Sequence, residues 1–532
     1  MKKTGISRRK FLSLSALGLT AAALAPEAEA VAAMMGGGGS GGGMGGGTTI
    51  INPPPGAAFR DPATAVNTST TPGIVEVALD MREATVNVGG ANARLMTYNG
   101  LFPGPTIRVN KRDTLRLHLK NSLPPTTEAQ VNLLGHRRNI TNLHTHGLHV
   151  SPKEPADYMG VMLSPVGSDD GMMHEYQYEY DLMYEEAGHL NLYHPHVHGT
   201  VAEQYWAGLM GALVVEDETP VLETPSSPPY ETHIMVLKDM TISNGLPTAY
   251  TSMMDYMHGK EGTAVMVNGQ VNPVLNIKPG QVQRWRFVNG CNARFFNLSL
   301  EGHSMYLVGT DSGLLDRPHQ VFSLLLSPGE RADLLVKADK TAKSYRLLSL
   351  PYSRGGNSPL QQVTLLTMAY KGSRMDQGLP VVVNPLANRL PVDMSMPPMR
   401  TMTLSMMQGR GYINGLTFRD MDNCYKIMSM VGDYEVWEII NQSGMDHPFH
   451  QHVNAAQVLS ITGGDAGYAS LYTSLPAWKD VVIIPKWGSA RLLVPVMHWE
   501  GMAMFHCHII EHEDIGMMGM WHLMPEGEEM PM

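Results

Sequence analysis

Residues 505–518 read FHCHIIEHEDIGMM, with Cys507, one of only three cysteines, set between His506 and His508. His512 follows five residues after the cysteine and Met517 ten residues after it. Three other stretches have the same flavour. NLHTHGLHV holds His144 and His146, LYHPHVHG holds His194 and His196, and DHPFHQH holds His447, His450 and His452. These ten of the chain's 22 histidines gather towards its two ends, and the middle has none of them. In a strand, residues i and i+2 point to one side, about 7 Å apart. The pairs 144/146, 194/196, 450/452 and 506/508 therefore offer eight imidazoles, too many for one metal and suited to a cluster of two or three. Neutral imidazole favours zinc, copper, iron or nickel over magnesium or calcium. Cys507 breaks the tie. On a shared strand its side chain points away from those of His506 and His508, so it serves a different metal. A thiolate with two histidines and a weak axial methionine is the blue-copper ligand set. His512 and Met517 lie downstream of Cys507, and His447 is the natural third strong ligand. The backbone from Cys507 to its two neighbours then links a single copper to a cluster by a path short enough for electrons.

Such sites need rigid strands to hold them. YNGLFPGPTIRVNKRDTLRLHLKN (98–121), VNGQVNPVLNIKPGQVQRWRFVN (267–289) and INGLTFRDMDNCYKIMSMVGDYEVWEIIN (413–441) share a layout: an Asn-Gly turn, a second turn, then a strand ending in Asn. In the first copy Leu115, Leu117 and Leu119 alternate with Arg116, His118 and Lys120, the period of a half-buried strand. Copies this far apart repeat whole domains rather than solenoid units. The chain of 532 residues, rich in Gly (54) and Pro (36), is expected to be all-β, with three consecutive Greek-key β-sandwich domains over 74–216, 228–372 and 390–532. Proline-rich joints at 218–230 and 379–398 fit both boundaries.

The start of the chain is read as an address. Lys2, Lys3, Arg8 and Arg9 precede an apolar run too short for a confident membrane span, and Ala28-Glu29-Ala30 suits cleavage. SRRKFL (7–12) resembles the twin-arginine export signal, so residues 1–30 are expected to direct the protein to the periplasm or outside. GGGGSGGGMGGG (36–47) cannot build a core, and 31–73 is expected to be a flexible leader, with order beginning near Ile74. No other stretch is apolar enough to span a bilayer, and a net charge of −10 argues against nucleic acid. Cys291 and Cys424 are expected to be buried free thiols rather than a disulfide.

The four clusters, in this order, resemble those of the multicopper oxidases, and the resemblance runs from about residue 74 to the end. It implies cupredoxin-like domains and four copper ions. His447, Cys507, His512 and Met517 would hold the type 1 copper, which takes single electrons from a reductant. His144 and His450 would hold the type 2 copper. His146, His194, His196, His452, His506 and His508 would hold the type 3 pair, where dioxygen becomes water. An axial thioether from Met517 implies a low-to-moderate potential. The family's buried proton-relay carboxylates map to Glu513 and to Asp157, for which Glu154 is a rival because thirteen residues separate Asp157 from His144. Asp446 could orient His447 or touch substrate. The middle domain is expected to act mainly as a spacer. The implied activity is laccase-like, on a phenol, an aromatic amine, or Cu(I) or Fe(II), by a monomer. Alternatives are a cuprous oxidase for copper tolerance, a non-enzymatic copper-binding or structural protein on the same fold, and a copper nitrite reductase. His149 and His198 are read as supporting residues rather than ligands, and His118 as solvent-facing. MSMPPMRTMTLSMM (394–407), with Met253, Met254, Met257 and His258, is either core filler or a Cu(I) site.

Overall fold

The computed structural model describes residues 6–7, 48–217, 229–525 and 527. The expected export signal (apart from Ile6–Ser7), the glycine run at 36–47 and most of the first proline-rich joint lie outside the described residues. Strands make up 46% of the described residues and helices 6%, so the architecture is all-β as expected.

Six large sheets pair into three sandwiches. The first packs Ala91–Tyr98, Ile74–Val88, Thr114–Asn121 and Glu175–Asp181 against Gly104–Val109, Gly211–Val215, His189–His194 and His144–His146. The second is built on Glu231–Met240, Val282–Asn289 and Arg331–Lys337 in one sheet, and on Gln361–Tyr370 and Ser344–Leu350 in the other. The third sets Arg400–Met407, Asp433–Asn441 and Ser489–Pro495 against a five-stranded sheet in the order Tyr425–Met430, Met518–Met524, Gly501–Cys507, His447–Gln451 and Val481–Ile484. Alternation does what its period requires. Leu115, Leu117 and Leu119 are fully buried, while Arg116, His118 and Lys120 reach outward, His118 beside Glu175.

The three similar sequence stretches have one physical cause. Asn99-Gly100, Asn268-Gly269 and Asn414-Gly415 all sit at positive φ, the backbone of a tight hairpin turn that Asn and Gly tolerate best. The strand-ending asparagines then make the same three bonds. Asn121 donates to the carbonyls of Asn139 and Leu163 and accepts from the Leu123 amide. Asn289 donates to Arg294 and Leu326 and accepts from Cys291. Asn441 donates to Met445 and Ile484 and accepts from Ser443. Each buried side chain satisfies backbone groups that the end of a strand would otherwise strand without partners.

Order begins before Ile74, contrary to expectation. Thr49–Ile51 adds a parallel strand to Gln361–Tyr370. Asp61 then accepts the Ile234 amide at 2.8 Å and lies 3.0 Å from His233 Nδ1. Ala65 donates to the Thr106 carbonyl. Residues 48–73 thus form a strap from the middle sandwich to the first. Their proline-rich sequence reads as coil because the order comes from edge strands far away in the chain. Cys291 and Cys424 are free; Cys291 is buried and Cys424 only partly so. Many methionines serve as core, with Met159, Met504, Met518 and Met520 packed around Phe418. Among the described residues no helix is long and apolar enough to cross a membrane.

Candidate metal centre

Strand register assembles the histidines. His144–His146 pairs antiparallel with His189–His194, setting His144 opposite His194. His447–Gln451 pairs antiparallel with Gly501–Cys507, setting His450 opposite His506 and Phe449 opposite Cys507. The first and third sandwiches then meet ring on ring. His144 stacks on His452 with centroids 4.0 Å apart, and His146 on His450 at 3.8 Å. His196 Nε2 lies 3.2 Å from His506 Nε2, and His452 Nε2 lies 3.3 Å from it. His508 closes the ring with centroids 4.7 Å from His146 and 5.6 Å from His194. All eight imidazoles of the four pairs are buried in one site.

The opposite face of the same strand builds a second site. Cys507 Sγ lies 3.4 Å from His447 Nδ1 and 3.6 Å from His512 Nδ1. His512 arrives on the short helix Ile510–Asp514 that follows the strand. Met517 is buried, and its backbone bonds to both: the Cys507 amide donates to the Met517 carbonyl at 3.0 Å, and the Met517 amide to the His512 carbonyl at 2.9 Å. The expected alternation, histidine to one side and cysteine to the other, is therefore present.

These donors fit a metal. Burial first, and neighbouring imidazoles second, push His146, His194, His450, His452 and His506 well below the usual histidine range. Burial pulls His196, His508 and His447 down to about 3. Neutral rings keep a lone pair for a cation. His144 Nε2, His146 Nδ1, His194 Nε2, His450 Nε2 and both nitrogens of His508 are buried without a hydrogen-bond partner. Buried nitrogens without partners are costly unless an ion takes them, and His144, His146 and His194 offer ligand atoms within 4.8 Å of one another. Burial likewise pushes the Cys507 thiol up, so only a cation at its side would make it a thiolate.

The far nitrogens are fixed by other groups. Asp157 Oδ2 lies 2.8 Å from His144 Nδ1, and its Oδ1 accepts the Thr145 amide at 3.0 Å. The thirteen-residue gap closes because the loop folds back, with the Asp157 amide donating to the Ser151 carbonyl. Glu154 points to solvent, so it is no rival. Burial works to raise the Asp157 carboxyl, but His144 and the Thr145 amide hold it below the usual range. Glu513 lies 3.5 Å from His196 Nδ1 and 3.4 Å from His506 Nδ1. Burial, with Asp514 adding to it, pushes Glu513 well above the usual carboxyl range. Two carboxyls driven apart in this way suit opposite halves of proton traffic.

Asp446 does not orient His447. Its carboxylate accepts from the Tyr352 hydroxyl at 2.7 Å and the Lys486 amide at 2.8 Å. His447 Nε2 instead faces Ser443 Oγ at 2.7 Å. The middle sandwich is more than a spacer. Its buried Arg331 donates to Asp480 Oδ1 at 2.6 Å and lies 3.0 Å from His146 Nε2. In sequence Arg331 is merely one of three charged residues in the strand RADLLVK, which gives no sign of this role. His149 and His198 stay outside the histidine groups described above. His149 pairs with His498 Nδ1 at 2.9 Å and with the Val453 carbonyl at 2.7 Å. His198 packs edge-on against His136 and Phe418. A cavity of about 580 Å³ runs past Tyr184, His149 and His498 to His144 and His452.

Family profiles described as multicopper oxidase match residues 80–220, 230–373 and 391–526, most of the chain. The chain belongs to the multicopper oxidase family. It is 27% identical over 438 residues to the multicopper oxidase mco of Staphylococcus aureus, covering 81% of this chain and 84% of that protein. It is 27% identical over 475 residues to a laccase of Bacillus subtilis (strain 168), covering 80% and 89%. The solved multicopper oxidase of Campylobacter jejuni, described as a metallo-oxidase, superposes with a TM-score of 0.73 at 25% identity, covering 90% of this chain and 98% of that one. This multicopper oxidase is an oxidoreductase with copper cofactors, using dioxygen and a reducing substrate, and the laccase-like activity that the resemblance implies stands.

Proposed function

We propose that four copper ions occupy the two donor sets. Cys507, His447, His512 and Met517 would hold the type 1 copper. His144 and His450 hold the type 2 copper. His146, His194 and His508 serve one type 3 copper, and His196, His452 and His506 the other. Copper supplies one-electron redox chemistry at neutral pH. The observation that carries this reading is a single peptide bond. Cys507 Sγ sits 3.4 Å from His447 Nδ1, while the next residue back, His506, puts Nε2 3.2 Å from His196 Nε2. Electrons taken on the cysteine face need to cross only that backbone to reach the histidine face.

The chain's own groups manage protons and access. Asp157, kept ionised, holds the proton on His144 Nδ1 and leaves Nε2 for the metal. Glu513, kept protonated in the absence of metal, is placed to donate towards the site where water forms. Bound cations pull both carboxyls down, which brings Glu513 nearer to the range of a useful acid. The 580 Å³ cavity ending at His144 and His452 is a route for dioxygen and water. The reductant is a phenol or aromatic amine, and the protein is an exported monomer, carried by the twin-arginine signal at 7–12 and organised as units 74–216, 228–372 and 390–532. Oxygen uptake by the copper-loaded chain with a phenol, with Cu(I) and with Fe(II) tests this. No uptake with any of the three would refute it.

A second reading, cuprous oxidase, has one observation in its favour. The helix Met253–His258 lies over the cysteine site, with the Met257 carbonyl 3.3 Å from His512 Nε2. Met254 on this helix is 56% exposed, a soft thioether available to Cu(I). In the longer methionine segment Met402 is core, while Met394 and Met407, 49% and 59% exposed, are available on the same ground as Met254. A faster rate with Cu(I) than with phenols, lost in Met254→Leu, would favour this reading.

A further inference from the structure

Among the described residues, Trp487 is the one exposed Trp, Tyr or Phe with a left-handed backbone. It is 73% exposed, and its φ is +57°, a region that glycine or asparagine enters far more cheaply than a bulky residue. The loop that imposes this is held on both sides. The Lys486 amide donates to Asp446, Lys486 Nζ donates to the Ser353 carbonyl at 2.7 Å, and the Trp487 amide donates to the Ser443 carbonyl at 3.2 Å. The indole edge lies over Gly444; a Cβ there would sit 4.0 Å from both Cζ2 and Nε1. Ser443, next in the chain, places Oγ 2.7 Å from His447 Nε2. With Nδ1 of His447 turned towards Cys507, the proton sits on Nε2 and is donated to Ser443 Oγ. A route of hydrogen bonds and covalent bonds therefore runs from the exposed indole to the imidazole beside Cys507. The other imidazole of the site, His512, is buried, and its Nε2 faces the Met257 carbonyl under the Met253–His258 helix. Both rings are fully buried; what sets His447 apart is that its Nε2 faces Ser443, whose carbonyl accepts the Trp487 amide.

We propose that Trp487 is the platform on which an aromatic reductant stacks, and that the reductant's electron enters by way of Ser443 and His447. Stacking between an aromatic substrate and an indole is favourable in offset or edge geometry. The strained backbone holds the ring proud of the surface at the cost of stability, a trade found at functional positions. In each turnover a phenol loses one electron to the oxidised copper beside Cys507, reducing it from Cu(II) to Cu(I). The phenolic proton goes to bulk water, and a phenoxyl radical leaves. Trp487 is unchanged at the end. This inference rests on the copper reading of the Cys507 site.

The test uses the copper-loaded full chain with Trp487→Gly and Trp487→Phe. The measured quantity is the ratio of kcat/KM for a phenol to kcat/KM for hexacyanoferrate(II), a small inorganic donor that cannot stack. Trp487→Gly should lower this ratio about tenfold, mostly through KM, the loss expected for one good aromatic contact. Its blue absorption and reduction potential should match the parent's. Its melting temperature should be no lower, because glycine relieves the left-handed backbone. Trp487→Phe should keep most of the selectivity. A merely structural tryptophan predicts the reverse: lower stability and an unchanged ratio. An unchanged ratio in a blue Trp487→Gly protein, or an equal fall in Trp487→Phe, overturns the inference alone. A parent that lacks blue absorption overturns the copper reading with it.

Discussion

Arg331 is the sharpest place to perturb the histidine site, because it joins all three sandwiches from the one that supplies no histidine ligand. Its side chain is 1% exposed. Nε donates to the Leu190 carbonyl of the first sandwich at 3.0 Å, and Nη2 to the Asp311 carbonyl of the second at 2.9 Å. The two terminal guanidinium nitrogens hold Asp480 of the third, Nη1 at 2.6 Å and Nη2 closer still. Burial alone would lower the Arg331 pKa, but Asp480 and Asp311 outweigh it and keep the guanidinium charged. In Arg331→Met, Asp311 keeps Lys479 at 2.9 Å, whereas Asp480 keeps only the His146 and His450 contacts with no full positive charge beside it. Stranding a buried carboxylate in this way costs about 3–5 kcal/mol. The assay is denaturant unfolding of the copper-free chain, so that metal binding does not mask the loss. The double variant Arg331→Met/Asp480→Asn removes the stranded charge and should recover a large part of the loss. In the copper-loaded protein, His146 loses the group beside its Nε2 at 3.0 Å, so the near-ultraviolet absorption of a coupled copper pair should fade while the blue absorption remains. A loss below about 1 kcal/mol, or a double variant no better than the single, would refute the reasoning.

Two further outcomes are expected. Glu513→Gln keeps the shape near His196 and His506 but carries no acidic proton; steady-state oxygen uptake should fall about 10²–10⁴-fold. Anaerobic bleaching of the blue centre by a phenol should keep its rate, and equal losses in both assays would count against a proton role. Lys238 is buried, bonded to Asn292 Oδ1 at 2.8 Å, and burial lowers its pKa from 10.5 to about 8. Below pH 8 the folded chain bears the full cost of a buried charge. Between about 8 and 10.5 the unfolded chain still holds the proton that the fold has released, so stability rises with pH, by about 3 kcal/mol in all. Relative to Lys238→Met, the parent should gain that amount across this window in pH-dependent unfolding; a constant difference would show that Lys238 is not depressed.

What the sequence makes legible, and what it hides, follows from the range of the interactions. His506 and Cys507 end the strand Gly501–Cys507 and His508 follows directly, so alternation alone separates their two faces. The Asn-Gly turns and strand-ending asparagines are local too, and their backbone bonds recur in all three sandwiches. Asp157 needed only a loop folding back over thirteen residues, yet spacing could not choose it over Glu154; burial does. Arg331 and Asp480 are 149 residues apart, and neither belongs to a pattern with a period. Ser443 looks like part of a turn, and only the fold shows that it, rather than the carboxylate of Asp446, meets His447. The strap at 48–73 has no alternation because it borrows its order from the edges of other sheets.

The most direct measurement is made on Cys507→Ser after copper loading, with copper counted per chain, the visible spectrum recorded, and phenol-driven oxygen uptake followed. The parent should be intensely blue with four coppers. The variant should hold three, show no blue absorption, and take up no oxygen with a phenol. Undiminished uptake by the colourless variant would show that electrons do not enter through the sulfur of that strand.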